Sequence, residues 1–142
     1  MGAPIRVLIL YHDEATRRAM RVGLDGVSDI LIVGEAPGDQ ALAHIQSLQP
    51  DVILWAINAA DLPAIGQVQQ GRIIVLAAAD QGPLVLEALR AGAVGHLNWE
   101  AARPEQLSAA VRAVSRGEAV LSPLVAGWVL DQVLERWRRR ET

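Results

Sequence analysis

The residues that could carry chemistry in this chain are few, and several of them follow one apolar run. Tyr11, His12 and Asp13 come directly after the run at residues 5–10, and Glu14 follows them. A histidine with two acidic residues has the donor types that hold a metal ion. Neighbours in sequence seldom converge on one ion, however, so we predict no metal site.

Two residue types that carry much enzyme chemistry are absent. The chain has no cysteine, and all 13 of its basic residues are arginine. These absences exclude disulfides, thiolate metal sites and a cysteine nucleophile, and also Schiff-base chemistry and a phosphate-loop lysine. The three histidines fall on separate segments, so no nucleophile is paired with a base. We therefore predict that the chain is not an enzyme and needs no cofactor.

The composition predicts one compact domain. The chain has 142 residues, of which 51% are hydrophobic and 20% are charged. That balance is ordinary for a globular protein. No apolar run approaches the roughly 18 residues of a membrane span, and the N terminus lacks a secretory pattern, so we expect a soluble cytoplasmic protein with no membrane partner. The net charge of -3 provides no general attraction to nucleic acid.

Arginines are concentrated at the C-terminal end of the chain. They are Arg136, Arg138, Arg139 and Arg140. Cations in the last turn of a helix complement its macrodipole, and we favour this interpretation. The alternative is contact with a phosphate backbone.

Apolar runs alternate with helical periodicity along the sequence. Short runs rich in β-branched residues predict buried parallel strands at residues 5–10, 30–35, 51–57, 72–78 and 94–97. Apolar positions at helical spacing predict helices at residues 14–24, 39–48, 83–91 and 104–116. Because such an alternation requires right-handed crossovers, we predict an α/β fold with a doubly wound, five-stranded parallel sheet.

A further helix is predicted after these five units. Ser122 is a suitable cap and Pro123 a suitable first residue for a helical pattern over residues 121–140. We therefore predict a domain at residues 1–118, followed by a C-terminal helix or linker at residues 119–142.

This C-terminal helix carries two tryptophans, Trp128 and Trp137. Indole rings are costly to leave exposed, which favours a dimerisation or relay helix. The alternative is a helix that closes the domain or leads into a linker.

In a doubly wound sheet the working site lies beyond the carboxyl ends of the strands, where the strand order reverses. Few residues of this chain follow predicted strand ends. They are Tyr11, His12 and Asp13 after the first strand, Ala56, Ile57 and Asn58 after the third, Ala77, Ala78 and Ala79 after the fourth, and Asn98, Trp99 and Glu100 after the fifth.

Several segments together carry a resemblance to a known family. The opening strand and helix read IRVLILYHDEATRRAMRVGL, the second strand reads DILIVGEA and the third reads PDVILWAI. Residues 85–123 follow with an AGA turn, a PEQL helix opening and a GEAVLSP exit. These segments resemble receiver domains of bacterial two-component response regulators of the NarL/FixJ (LuxR-type) branch. The resemblance implies a flavodoxin-like, CheY-like fold and a role in phosphorelay signal transduction and transcription regulation.

The chemistry of that family depends on four kinds of group. An aspartate after the third strand attacks phosphorus, and two acids after the first strand hold Mg²⁺. A hydroxyl after the fourth strand and a lysine after the fifth bind the added phosphate. The matching positions here are Tyr11 and His12 for the acids, Ala56 for the nucleophile, Ala77 for the hydroxyl and Trp99 for the lysine. Every one is substituted, so we predict a degenerate receiver that lacks its phosphoacceptor aspartate.

A shifted alignment does not restore these groups. Asp13 and Glu14 could imitate the acidic pair only by lengthening the first strand and spoiling the helical register that follows. No acid lies between Val52 and Ala60, and no lysine exists to bind phosphate.

Two residues near this edge have open roles. Trp99 either folds over the space left by Ala56 and Ala77 or lies on the surface as a contact residue. His96 stands where the family carries an aromatic residue. In the family that side chain points inward or outward depending on phosphorylation. We expect a half-exposed histidine there, and the alternative is a pocket or switch residue together with Asp13.

We therefore expect a regulatory module that acts through phosphorylation-independent protein association, as a homodimer or with a protein partner. In the resembling family a helix-turn-helix domain follows the linker. No such motif is visible here, so DNA binding is expected only through a further domain. The second hypothesis is a sensor in which a small ligand occupies the vacated pocket.

Overall fold

A five-stranded parallel sheet forms the centre of the fold. The computed structural model describes residues 2–78, 80–98 and 102–141. Its strands are β1 (Ile5–Leu10), β2 (Ile30–Ala36), β3 (Val52–Ala56), β4 (Arg72–Leu76) and β5 (Gly95–Leu97). The order across the sheet is β2-β1-β3-β4-β5, and every neighbouring pair is parallel. The predicted doubly wound sheet is confirmed.

Helices cover both faces of this sheet. In the described ranges they are α1 (Glu14–Leu24), α2 (Ala41–Leu48), α3 (Leu62–Gln67), α4 (Gly82–Ala91), α5 (Pro104–Ser115) and α6 (Pro123–Glu141). Core residues of α1 and α5 pack on one face, and those of α2, α3 and α4 pack on the other. Short 3-10 helices at Gly38–Gln40 and Ala59–Asp61 lead into α2 and α3.

The main differences from the sequence prediction are two element boundaries and one additional helix. The helix expected from residue 39 begins with a 3-10 turn, so α2 starts at Ala41. Strand β4 ends at Leu76, which leaves Ala77 and Ala78 in the loop that follows. Helix α3 was not predicted, because its six residues LPAIGQ are too few to show helical periodicity and include proline and glycine.

The core has two layers because residues of each strand alternate between the faces. In β3, Val52 and Leu54 face α1 and α5, whereas Ile53 and Trp55 face α2, α3 and α4. All four are fully buried. Burial of one such side chain stabilises a fold by roughly 1.5–3 kcal/mol, so this strand anchors both layers.

Helix α6 is the predicted additional helix, and it packs against α4. The Ser122 hydroxyl accepts a hydrogen bond from the Val125 N–H over 3.3 Å, as expected of a cap. The ring of Trp128 lies on Gly82, the first residue of α4. In the described part of the chain, no helix has both the length and the apolar character needed to cross a membrane. The division at residue 118 and a domain after α6 stay predictions.

We expect Gly82→Ala to loosen α6. A methyl group at Gly82 would lie 2.3 Å from a ring atom of Trp128, so the ring must move away from α4. Overpacking of this kind costs about 1–3 kcal/mol. Urea unfolding followed by tryptophan fluorescence measures the loss.

Gly66→Ala in α3 is the matched control. No atom lies within 4 Å of a methyl group added there, so the change should be neutral or slightly stabilising. Equal stability of the two variants would contradict the packing described for Trp128.

Candidate functional site

The candidate site lies at the carboxyl edge of the sheet, where β1 and β3 adjoin and the strand order reverses. A cleft of about 360 Å³ opens there. The structure brings together in its lining four of the five positions matched to the family's phosphorylation site, which are Tyr11, His12, Ala56 and Ala77. The other lining residues are Ile57, Asn58, Leu76, Ala78, Asp80, Gln81 and Asn98. The fifth predicted position, Trp99, lies outside the described residues.

Two stacked rings lie at the positions that the sequence predicts to match the family's acidic pair. The rings of Tyr11 and His12 stack with their centroids 4.9 Å apart and an interplanar angle of 13°. Arg17 donates a hydrogen bond from Nη1 to the Tyr11 carbonyl oxygen, and the Tyr11 N–H donates to Ala36 over 3.0 Å. The backbone after β1 is therefore fixed, while its side chains offer no carboxylate oxygen to Mg²⁺.

Asp13 faces the helix that follows rather than the cleft. Its Oδ1 accepts from the Ala15 N–H over 3.1 Å, and its Oδ2 accepts from the Thr16 hydroxyl over 2.6 Å. The Thr16 hydrogen bond is the main cause that lowers the pKa of Asp13. Asp13 is thus the N-cap of α1, and the strand ends before it at Leu10. Its role as a pocket or switch residue stays a prediction.

Ala56 and Ala77 present methyl groups to the cleft. Ala56 ends β3 and is half-buried, and Ala77 is almost fully buried. The Ala77 N–H donates to the Leu97 carbonyl over 3.2 Å, which ties the loop after β4 to β5. Neither alanine supplies a nucleophile or a hydroxyl.

His96 is buried, which corrects the expectation of a half-exposed histidine. Only 3% of it is exposed, because β5 lies inside the fold between β4 and the segment at Val120. Its Nε2 lies 3.1 Å from the Ala77 carbonyl oxygen. A carbonyl only accepts, so Nε2 carries the proton and Nδ1 carries a lone pair. Nδ1 has no hydrogen-bond partner among the described residues.

Asp61 is a buried acid that lies near the site. Only 7% of it is exposed, and its Oδ2 accepts from the Asn58 N–H over 2.9 Å. The Asn58 side chain accepts in turn from the Ala60 N–H over 2.9 Å. This reciprocal pair is a capping box, which the order Asn-x-x-Asp could have indicated. A methyl group on Gly38 would lie 3.0 Å from Asp61 Oδ1, so that loop packs closely on the carboxylate.

A second cleft of about 630 Å³ adjoins the first on the side of α2 and shares His12, Ala56 and Asn58 with it. Asp39 and Asp61 also line it. Across residues 2–78, 80–98 and 102–141, no group of three or more His, Cys, Asp or Glu side chains is placed to hold a metal ion.

The two tryptophans of α6 lie in different environments. Trp128 is half-buried against Gly82, whereas 56% of Trp137 is exposed. Arg90 of α4 also donates a hydrogen bond to the Gln132 side chain, which joins the two helices further along. Trp128 therefore closes the domain, and a dimer or relay role for either tryptophan stays a prediction.

The known proteins to which this chain is similar include response regulators. The transcriptional regulatory protein LiaR of Bacillus subtilis is 31% identical over 137 residues, which are 91% of this chain and 64% of LiaR. The crystal structure of ChrA, a response regulator of a heme-sensing two-component system, is 27% identical with a TM-score of 0.71. The match covers 93% of this chain and 67% of the ChrA chain. The signal receiver domain of NarL from Mycobacterium tuberculosis is 25% identical with a TM-score of 0.73. The match covers 82% of this chain and 100% of the NarL domain.

The chain has the CheY-like receiver fold of response regulators. No family model matches it. The chain spans 58% to 64% of the length of the curated relatives, so it corresponds to part of each of them. These relatives support the resemblance found in the sequence, and the degenerate character of this receiver stays a prediction.

We expect the buried His96 to make stability depend on pH. Burial lowers the pKa of His96 below its usual value of 6.5, and the Ala77 hydrogen bond opposes this only in part. The fold therefore favours the neutral ring, while the unfolded chain takes up a proton as the pH falls through 6.5. Stability should decrease in that direction. Urea unfolding from neutral pH to about pH 5.5, where a free histidine is mostly charged, measures the slope.

His96→Phe should flatten this pH dependence, because phenylalanine does not titrate. The matched control is His44→Phe, which makes the same substitution at a half-exposed position on α2, and the flattening should be specific to His96→Phe. An unchanged slope in His96→Phe would refute the assignment to His96.

Proposed function

We propose that this receiver is a cytoplasmic, non-enzymatic regulatory module whose protein association does not depend on aspartyl phosphorylation. The observation that supports the proposal is the lining of the carboxyl-edge cleft. The methyl groups of Ala56 and Ala77 lie there beside the stacked rings of Tyr11 and His12. Phosphoryl transfer to a receiver requires a carboxylate nucleophile and oxygen ligands for Mg²⁺, and these four side chains offer neither.

The acids nearest to Ala56 in sequence are already engaged elsewhere. Asp51 lies before β3, at the opposite edge of the sheet, and its Oδ2 accepts from the Arg6 N–H over 2.9 Å. Asp61 is held in its capping box with Asn58. Neither carboxylate replaces the missing nucleophile without rebuilding a loop, which supports loss of the phosphorylation chemistry.

The loops around the cleft are joined by direct hydrogen bonds. His96 binds the Ala77 carbonyl through Nε2, and the Ala77 N–H binds Leu97. In a phosphorylated receiver the phosphate would bridge such loops through a hydroxyl and a lysine. Here protein groups join β5 to the loop after β4, which supports a module used in one fixed shape.

The partner belongs to the proposal as well. We propose a homodimer or a protein partner for this chain. We propose contact with DNA only through a further domain. The basis for that domain is the similarity to LiaR, which is a transcriptional regulatory protein.

Phosphorylation can be tested directly. Incubation with acetyl phosphate and Mg²⁺ should leave the intact mass of the chain unchanged. Stoichiometric, acid-labile addition of a phosphoryl group would overturn the proposal.

A restored variant provides the positive control for that test. It carries Tyr11→Asp, His12→Asp, Ala56→Asp, Ala77→Thr and Trp99→Lys, which restore the family's group at each position matched in the sequence. This variant should gain one phosphoryl group, and Ala56→Asp alone should gain far less because the Mg²⁺ ligands are still missing.

A ligand sensor is the second candidate function, and one observation favours it. Asn98 lines the cleft, and its Oδ1 is buried with no hydrogen-bond partner among the described residues. An unpaired buried acceptor costs about 1–3 kcal/mol, which a ligand with an N–H or O–H donor would recover.

Thermal-shift screening with small hydrogen-bonding metabolites separates the two candidates. A ligand at 100 times its dissociation constant stabilises the fold by about 2.7 kcal/mol and raises the melting temperature. Ala56→Leu fills the cleft and should abolish that rise. A pure association module instead melts at a temperature that depends on its own concentration.

A further inference from the structure

Helix α6 has two apolar faces, although the domain covers only one of them. Val125, Trp128 and Val129 pack toward the core and α4. On the opposite side, 54% of Leu130 and 56% of Trp137 are exposed. A helix that served only to close the domain would need the first face alone.

One glycine and three apolar residues form a single line on this side of α6; Leu134 is half-buried and the other three are exposed. Gly127, Leu130, Leu134 and Trp137 are spaced three, four and three residues apart, which places them on one side of a helix. We call these four residues the outer stripe. At 100° per residue it points away from the face that carries Trp128.

We propose that the outer stripe pairs antiparallel with the outer stripe of a second copy of this chain. The inference rests on the proposed function, since it gives the proposed association a surface. In an antiparallel pair centred on Gln132, Leu130 of one copy lies opposite Leu134 of the other. Gly127 then lies opposite Trp137, so that the smallest residue of the stripe meets the largest.

The chain already contains the packing that this pairing requires. The six-membered ring of Trp128 contacts Gly82 within the domain, and the absent side chain provides the space. Gly127 leaves the same kind of space for an indole ring of a second copy. Apart from the adjoining backbone of α6, no atom of the described residues lies within 4 Å of the position where its side chain would begin.

Charge favours the antiparallel orientation over the parallel one. A parallel pair would bring together the arginine clusters of both copies at the end of α6, which are Arg136, Arg138, Arg139 and Arg140. An antiparallel pair separates the clusters. It also places Arg138 on the same flank as Asp131 of the second copy, within reach of a long side chain.

The complementarity also identifies the partner as a second copy. A two-fold interface matches each residue of a surface to another residue of the same surface, as the stripe does here. One helix stripe is small for a protein interface, so we expect a weak dimer.

Sedimentation equilibrium with Gly127→Leu tests the pairing. Leucine raises helix propensity and meets open space in the single chain, so the monomer should stay folded, while the side chain blocks the approaching indole. We expect dimerisation to weaken at least tenfold. The matched control is Gly66→Leu, at an exposed helical glycine of α3 with equally open space, which should dimerise as wild type.

Cysteine cross-linking tests the orientation, since the chain has no cysteine of its own. Asp131→Cys lies near the centre of the antiparallel pair and should cross-link through a short bismaleimide. Arg140→Cys should not, because eight residues from the centre at 1.5 Å each separate the two copies by about 24 Å. Cross-linking of Arg140→Cys alone would overturn the antiparallel orientation.

The outcomes separate this inference from the proposed function. If Gly127→Leu dimerises as tightly as wild type, the outer stripe is not the interface, and association through another surface stands. If wild type stays monomeric at millimolar concentration, self-association fails altogether. The acetyl phosphate experiment then still decides the phosphorylation chemistry separately.

Discussion

Burial of β3 on both faces is the constraint on which the rest of the structure depends. Its residues Val52–Trp55 are fully buried, and β1 and β4 pair with it in parallel. Because parallel strands end at the same edge, Ala56 must lie beside Tyr11 and Ala77 whatever side chains those positions carry. The scaffold is therefore held by the core beneath the site and not by the site itself. This independence allows a receiver fold to persist whatever side chains occupy that edge.

Most of the fold could be predicted from the sequence, because apolar periodicity reports burial. The bounds of α1 agree with the prediction, and all five strands lie where apolar runs occur. Helix α3 could not be predicted, since Leu62–Gln67 has too few residues to show a period and is held by packing of Ile65. The early end of β4 depends on its pairing with the short strand β5. This pairing cannot be predicted from the residues of β4 alone.

The residues lining the candidate site could be predicted as well, because the topology alone brings strand ends together. Their conformations could not. The stacking of Tyr11 on His12 and the burial of His96 depend on which neighbours fill the surrounding space. The capping box of Asn58 and Asp61 is an exception, since its spacing is local and can be recognised in the sequence.

The contact between Trp128 and Gly82 joins α6 to the start of α4. Gly82 follows the loop that lines the carboxyl-edge cleft, and Trp128 lies in the second turn of a helix of 19 residues. Such a helix is about 28 Å long, so a tilt of about 5° at this pivot moves its far end by about 2 Å. The contact of Trp128 with Gly82 beside the carboxyl-edge cleft therefore sets the position of the arginine-rich end of α6.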